Sequence, residues 1–250
     1  RLAYADRRHY IGDQDFVSVP VTGLLDPAYL RRRAETISAT ESMGKATAGR
    51  PVRVDRSDLA PDLREGFPST SHVSVIDADG NAVSMTTSIE RAFGSRLMVR
   101  GFLLNNQLTD FAYVPRHGGL PVANAVAPGK RPRSSMSPTL VFDAEGRLFA
   151  TIGSPGGSRI IGYVTKTLIG LLDWKLGMQA AIDLPNHINR NGPTELEKGT
   201  DVAKHVAALR RLGHDVRLGT LSSGLHGIRV TPDGYDGGAD RRREGVALGD

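Results

Sequence analysis

Apolar and polar residues alternate in two stretches that begin abruptly after Thr70. Residues 71–77 (SHVSVID) and 82–90 (AVSMTTSIE) are rich in β-branched side chains, and Asp79-Gly80-Asn81 between them is a turn sequence. The pattern predicts a β-hairpin, with Thr70, His72 and Ser74 on one face of the first strand and Thr86, Ser88 and Glu90 on one face of the second. Residues 139–155 (TLVFDAEGRLFATIGSP) predict a second hairpin turning at Glu145-Gly146. The period then changes to that of a helix. Residues 158–174 (SRIIGYVTKTLIGLLDW) carry apolar residues at Ile161, Val164, Leu168 and Leu172, and Ser158 is the expected cap.

The rest of the chain is less regular. Asp26-Pro27 is a helix start, with a run to about residue 38. Residues 39–69 are polar and irregular and predict an exposed linker. Residues 98–107 (MVRGFLLNNQ) suggest a strand running into a loop, and 115–138 is a Gly/Pro/Arg-rich stretch. Helical patterns follow near 177–184 and 201–212, and strands near 216–218 and 226–230. Strands, two central helices and strands again imply an α+β chain with helices packed on sheet layers, with no βαβ alternation and no internal repeat. The opening RLAYADRRHYIGDQDF reads like the interior of something longer, so the chain is expected to be a piece or processed form of a larger protein.

Composition removes several kinds of chemistry. The 250 residues contain no Cys, which excludes a disulfide framework, a Cys-based zinc site and a cysteine nucleophile. No apolar run approaches the ~20 residues of a membrane helix. Net charge is +5, but the basic residues fall in short groups (Arg31-Arg32-Arg33, Lys130-Arg131-Pro132-Arg133, Arg241-Arg242-Arg243), and aromatics are only 6%. That reads as solvated basic surface rather than a nucleic-acid site.

Motifs narrow the field further. Asp77–Asn81 resembles the start of a calcium loop, but Ala82 stands where Gly is needed and Ser88 where Glu is needed, so a hairpin turn is expected. Ser42-Met43-Gly44-Lys45 matches S-x-x-K without its companion motifs. The His residues show no metal-ligand spacing, and His72 is read as structural. Gly153-Ser154-Pro155-Gly156-Gly157-Ser158-Arg159 joins a strand to a helix. It lacks a phosphate-loop ending and, with Pro155 at its centre, is no nucleophile elbow. It is either a donor-rich turn suited to an oxyanion or merely a tight turn. Thr70, at the head of a strand, offers a different strategy: if the chain were cut before it, its own α-amine, with an unperturbed pKa of about 8, could serve as general base for its hydroxyl.

Five motifs, in order and at approximately the same spacing, resemble the γ-glutamyltranspeptidases, N-terminal-nucleophile hydrolases that cleave themselves into two subunits. They are Thr70–Val75, Asp79–Val83, Leu103–Gln107 with Asp110-Phe111, Lys130–Thr139, and Gly153–Arg159. Ala3–Arg7 and Gly12–Phe16 are similar to the end of the family's large subunit. The resemblance implies a four-layer αββα sandwich, with residues 1–69 as the tail of the large subunit and 70–250 as the small, catalytic subunit. It implies that Thr70 is the nucleophile, formed by scission of Ser69–Thr70, and that Ser88 stands where a second Thr usually hydrogen-bonds it. Glu90, Gln107 and Asp110 would bind the substrate α-amino group, Ser134 and Ser135 its α-carboxylate, and the Gly156 and Gly157 amides the oxyanion. Substrates would be γ-glutamyl amides such as glutathione, with an amino acid, peptide or water as acceptor. The rest of the large subunit would be a partner, no metal or organic cofactor would be needed, and the location would be periplasmic or secreted.

Two departures qualify the resemblance. The segment 112–123 (AYVPRHGGLPVA) is short, which implies a reduced lid and admits bulkier donors and more water. Most of the large subunit is missing, including the region where the family places an Arg clamp for the α-carboxylate. A glutaryl- or cephalosporin-type acylase is therefore an alternative, as is an unprocessed fragment acting as a binding module.

Overall fold

The computed structural model describes residues 1–52, 59–63 and 69–249; residues 53–58 and 64–68 of the expected linker lie outside the described residues. Besides a single helical turn at Val21–Leu24, the helices are α1 (Leu2–Tyr10), α2 (Pro27–Ala34), α3 (Ile160–Leu172), α4 (Met178–Asp183) and α5 (Val206–Arg211). The strands are β1 (Ser71–Ile76), β2 (Ala82–Thr87), β3 (Thr139–Phe142), β4 (Leu148–Gly153), β5 (His187–Asn189), β6 (Thr194–Glu197), β7 (Val216–Gly219), β8 (His226–Thr231) and β9 (Gly234–Ala239).

Both predicted hairpins form. In β1–β2 the register pairs Ser71 with Thr87 and His72 with Thr86. The Asp77 carboxylate accepts the Asp79 and Asn81 amides and so closes the turn. In β3–β4 the Asp143 carboxylate does the same for Glu145 and Arg147, with Gly146 in the left-handed region. β3–β4 joins β8–β9 in an antiparallel sheet of order β9-β8-β4-β3.

This sheet is the middle of three layers. On one face Ala150 and Ile152 of β4 pack against Ile160, Tyr163, Val164 and Leu171 of α3 and Met178, Ala181 and Ile182 of α4. On the other lies the β1–β2 hairpin, and this second interface is polar. Ser84 donates to the Ile152 carbonyl at 3.1 Å, Thr151 to Ser74 at 3.5 Å, and Ser74 to the His226 carbonyl at 3.4 Å. His72 sits at its centre, buried, with Nδ1 2.8 Å from Thr86 Oγ1 and Nε2 3.1 Å from Ser74 Oγ. Its ring covers Gly153, where an added Cβ would lie 2.1 Å from His72 Cε1. Among the described residues no helical layer covers the outer face of the hairpin, where Val73, Val75, Val83 and Met85 are exposed.

Several expectations need correction. Ser158 does not cap α3: residues Gly157–Arg159 form a 3-10 turn, and the Ser158 hydroxyl accepts a hydrogen bond from Arg190 at 2.8 Å instead. α2 is capped as expected, Asp26 accepting the Tyr29 amide at 2.7 Å, but it stops at Ala34. The 98–107 strand is only a two-residue ladder, Met98–Val99 against Phe102–Leu103. A parallel pair, β6 with β7, is joined through α5, so one βαβ-like crossing exists. The linker, where described, is irregular but hooked down: Ala46 exchanges two hydrogen bonds with the Asn191 side chain, Gly49 donates to Asp6, and Ala60 and Asp62 are buried. Helix α1 and strands β5, β6 and β9 are too short or too polar to announce themselves by periodicity.

Burial, with the charge of His226 second, pushes the His72 imidazole from its ordinary 6.5 down to about 4. The folded state therefore favours neutral His72. Its contribution is fully present above pH 6.5 and is lost as pH falls toward 4. Urea unfolding at pH 7 and 4.5 is expected to show wild type losing ~2–3 kcal/mol more than His72→Asn; equal losses would contradict a buried neutral imidazole.

Candidate active site

At the end of β1 that leads out of the linker, the chain bends back on itself. Thr70 Oγ1 lies 2.5 Å from the carbonyl oxygen of Ser69 and 3.4 Å from Ser88 Oγ. Ser88, opposite Thr70 by extension of the hairpin register, donates to the same Ser69 carbonyl at 2.7 Å. It is itself held by the Glu90 amide, which donates to Ser88 Oγ at 2.9 Å. Two hydroxyls thus converge on one peptide carbonyl.

Glu90 lies beyond the end of β2, so strand alternation does not place it. Its backbone adopts φ 73°, a left-handed conformation that is unusual and strained for a non-glycine residue. The turn buries its carboxylate, which accepts Asn106 Nδ2 at 2.8 Å. Gln107 and Asp110 share a 3-10 turn (Gln107–Asp110), and the Gln107 amide donates to the Asp110 carboxylate. Asn124 then ties the Asp110 carbonyl (2.8 Å) to the Asp62 carboxylate (3.0 Å).

The glycine turn closes the arrangement from β4. Gly156 has φ 135°, and an added Cβ would meet Tyr163 Cε2 at 2.7 Å, so only glycine fits. Among the described residues neither the Gly156 nor the Gly157 amide donates to another group. Ser158 anchors the turn: its carbonyl accepts the Tyr4 hydroxyl of α1, and its hydroxyl accepts Arg190. Glu195 of β6 in turn binds both Arg159 and Arg190.

A single cleft is lined by Thr70, Ser88, Glu90, Gln107, Asp110, Ser134, Ser135 and Gly157. Of the nine candidate residues only Gly156 is not part of the lining, and it directly precedes Gly157. Sequence reasoning missed Tyr4, Arg7, Asp62, Arg133 and Arg190, which line the same cleft. Arg133 corrects the solvated-surface reading of its basic group. Its guanidinium meets Asp62 at 2.8 Å with both side chains buried, Arg131 grips Asp13, and Lys130 donates to the Ala123 carbonyl at 2.7 Å. The only signal had been the position of Arg133 beside Ser134-Ser135. Among the described residues no group of three or more His, Asp or Glu is arranged to hold a metal, and no helix is long and apolar enough to cross a membrane.

The Asp62–Arg133 pair generates a stability prediction. Arg133→Met would leave the Asp62 carboxylate buried without this partner and should cost ~3–5 kcal/mol in urea unfolding, much of it recovered in the Arg133→Met/Asp62→Leu double variant. A single variant as stable as wild type would show that the pair is not structural.

Comparison with known proteins gives the chain its relatives. The model of the family described as Gamma-glutamyltranspeptidase matches residues 1–250. The chain is 37% identical over 99% of its length to the glutathione hydrolase proenzyme of Bacillus subtilis strain 168, and 39% identical over 97% to that of Escherichia coli K12. It spans less than half of those relatives, 43% and 42% of their lengths. An acivicin-inhibited γ-glutamyltranspeptidase structure is similar at 34% identity and TM-score 0.62, with 70% of this chain covering 99% of that one. A cephalosporin acylase from Bacillus halodurans is similar at 25% identity and TM-score 0.79, covering 96% of this chain and 41% of that one. With one family model spanning every residue and relatives this similar across nearly its full length, the chain belongs to the γ-glutamyltranspeptidase family.

Proposed function

We propose that the protein hydrolyses or transfers the γ-glutamyl group of γ-glutamyl amides such as glutathione, through an ester on Thr70, after cutting itself between Ser69 and Thr70. The observation that carries this reading is the pair of hydroxyls, Thr70 and Ser88, on the Ser69 carbonyl. In maturation Thr70 Oγ1 attacks the Ser69 carbonyl carbon. Ser88 hydrogen-bonds the oxygen as it gains charge, the Thr70 nitrogen takes a proton and leaves, and water hydrolyses the resulting ester. The products are a Ser69 carboxylate and a free Thr70 amine.

That amine then acts as base toward the Thr70 hydroxyl, which attacks the substrate γ-carbonyl. The unengaged amides of Gly156 and Gly157 face the developing oxyanion, the amine product leaves protonated, and water or an acceptor amine takes the acyl group. Glu90 and Asp110, with Gln107 beside them, supply negative charge for the substrate ammonium; Ser134 and Ser135 receive its carboxylate.

In this reading residues 1–69 are the tail of a large subunit and 70–250 a small subunit. The share of this chain that covers a whole solved family chain, 70%, supports that boundary, because residues 70–250 are about 72% of the sequence. The exposed apolar outer face of β1–β2 is where the rest of the large subunit would add the fourth layer of an αββα sandwich.

The acylase alternative has its own support. Segment 112–123 folds back as a two-residue ladder, Arg116–His117 against Leu120–Pro121, and the acylase likeness extends over nearly the whole chain. Steady-state assay separates the readings. A γ-glutamyl anilide should be used far better than a glutaryl amide, because a donor without an α-amino group leaves Glu90 and Asp110 unanswered; preference for the glutaryl donor would favour the acylase.

Maturation has a separate test. Mass spectrometry of the full-length precursor should show scission at Ser69–Thr70 in wild type, slowed scission in Thr70→Ser and none in Thr70→Ala. Efficient cleavage of the Ala variant would remove Thr70 from the role.

A further inference from the structure

A glycine turn holds still only when something else holds it. Gly156 and Gly157 both sit at positive φ, 135° and 59°, and have no side chain with which to fix themselves. An oxyanion donor is effective only where it is aimed beforehand. The anchor must therefore come from flanking residues, and on the helix side it traces back to one carboxylate.

Glu195 lies on β6, the middle strand of the sheet β7-β6-β5. Its Oε1 accepts Arg190 Nη2 at 2.7 Å, and its Oε2 accepts Arg159 Nε at 2.7 Å and Nη2 at 2.6 Å. Arg190, with nearly all of its side chain buried, passes the link on through Nη1 to the Ser158 hydroxyl at 2.8 Å. Arg159 is the next residue, and its amide donates to the Gly156 carbonyl at 3.2 Å. Two successive residues of the turn are thus tied to one side chain on a different sheet. Although burial works the other way, the two guanidiniums hold the Glu195 carboxyl below its ordinary value, so both pairs stay charged near neutral pH.

The Ser69 carbonyl meets other donors. It accepts the Thr70 and Ser88 hydroxyls, and among the described residues no amide of the glycine turn donates to it. Which donors serve therefore depends on which carbonyl is presented: Ser88 for the chain's own peptide bond, the Gly156 and Gly157 amides for the substrate.

We propose that Glu195 is a positioning residue for turnover and not for maturation: through Arg159 and Arg190 it aims the glycine turn at the substrate oxyanion. Glu195 is outside the lining of the cleft, so it acts only through the two arginines. The proposal rests on the γ-glutamyl reading and separates two steps that the same Thr70 hydroxyl performs.

The full-length precursors of wild type, Glu195→Gln and Ser158→Ala are each followed twice. Mass spectrometry reads scission at 69–70, and steady-state turnover of a γ-glutamyl anilide reads the mature enzyme. Glu195→Gln keeps the shape and removes the charge that holds both arginines. It should lower kcat by about 10- to 100-fold, less than the loss of an oxyanion donor itself, with KM within about twofold of wild type. Its scission rate should match wild type. Ser158→Ala removes the Arg190 link and leaves every charge in place; its kcat should fall by about 3- to 10-fold in the same pattern. Glu195→Asp, which keeps the charge on a shorter arm, should recover part of the lost kcat. If Glu195→Gln yields no soluble chain, Ser158→Ala decides.

Scission and turnover slowed together would make Glu195 a residue of the fold, and a raised KM at unchanged kcat would make it one of substrate binding. Variants that match wild type in both assays would remove it from the reaction. Each of these results overturns the proposal and leaves the γ-glutamyl reading standing. A mature wild type that ignores the anilide would overturn the reading instead.

Discussion

Everything at the site depends on how the β1–β2 hairpin docks on the central sheet, and that docking turns on one contact. The His72 ring lies over Gly153, with no room for a side chain between them. Thr70 is two residues before His72, and Gly156 is three residues after Gly153. Fixing the one pair therefore brings the other together. The hydrogen bonds between His72 and the hydroxyls of Thr86 and Ser74 leave the ring little freedom, so the hairpin is unable to slide without breaking them. A polar interface of this kind is worth keeping only if its members are satisfied, and it then specifies a single geometry better than an apolar one.

The same logic runs outward from the cleft. The glycine turn is held by Tyr4 from α1 and by Arg190, itself positioned by Glu195 from β6. The Ser134-Ser135 segment follows Arg133, which is buried against Asp62 just upstream of the undescribed part of the linker. Residues before and after the Ser69–Thr70 junction are thus interleaved around one cavity. A single chain can assemble the site first and be cut afterwards with its parts still held in place. In this picture maturation and turnover use the same hydroxyl and differ mainly in which carbonyl is presented to it.

Much of this was legible in the sequence, for identifiable reasons. Period-two alternation and Asx-type turns announced both hairpins, whereas the pairing of Ser88 with Thr70 came only from the family likeness. Glycine at 153, 156 and 157 flagged the turn, although its chemical meaning came only from a family likeness. The residues that were missed share a feature: their roles depend on partners far away in sequence. Arg7 meets Ser135, Asp62 meets Arg133, and Tyr4 meets Ser158, separations that no local pattern encodes. Glu90 reached the cleft for a reason alternation does not supply, a strained backbone turn beyond the strand end. Likewise Ser158 looked like a helix cap and serves as an anchor for Arg190.

The central claim is that Thr70 is a free N-terminal residue that carries the acyl group. Peptide mapping after reaction with an irreversible electrophile built on a γ-glutamyl skeleton tests both halves at once. The account predicts one adduct per active site, on a peptide whose first residue is Thr70, with the label on its side-chain oxygen. A label on any other residue, or on a peptide in which Thr70 is still joined to Ser69, would contradict it.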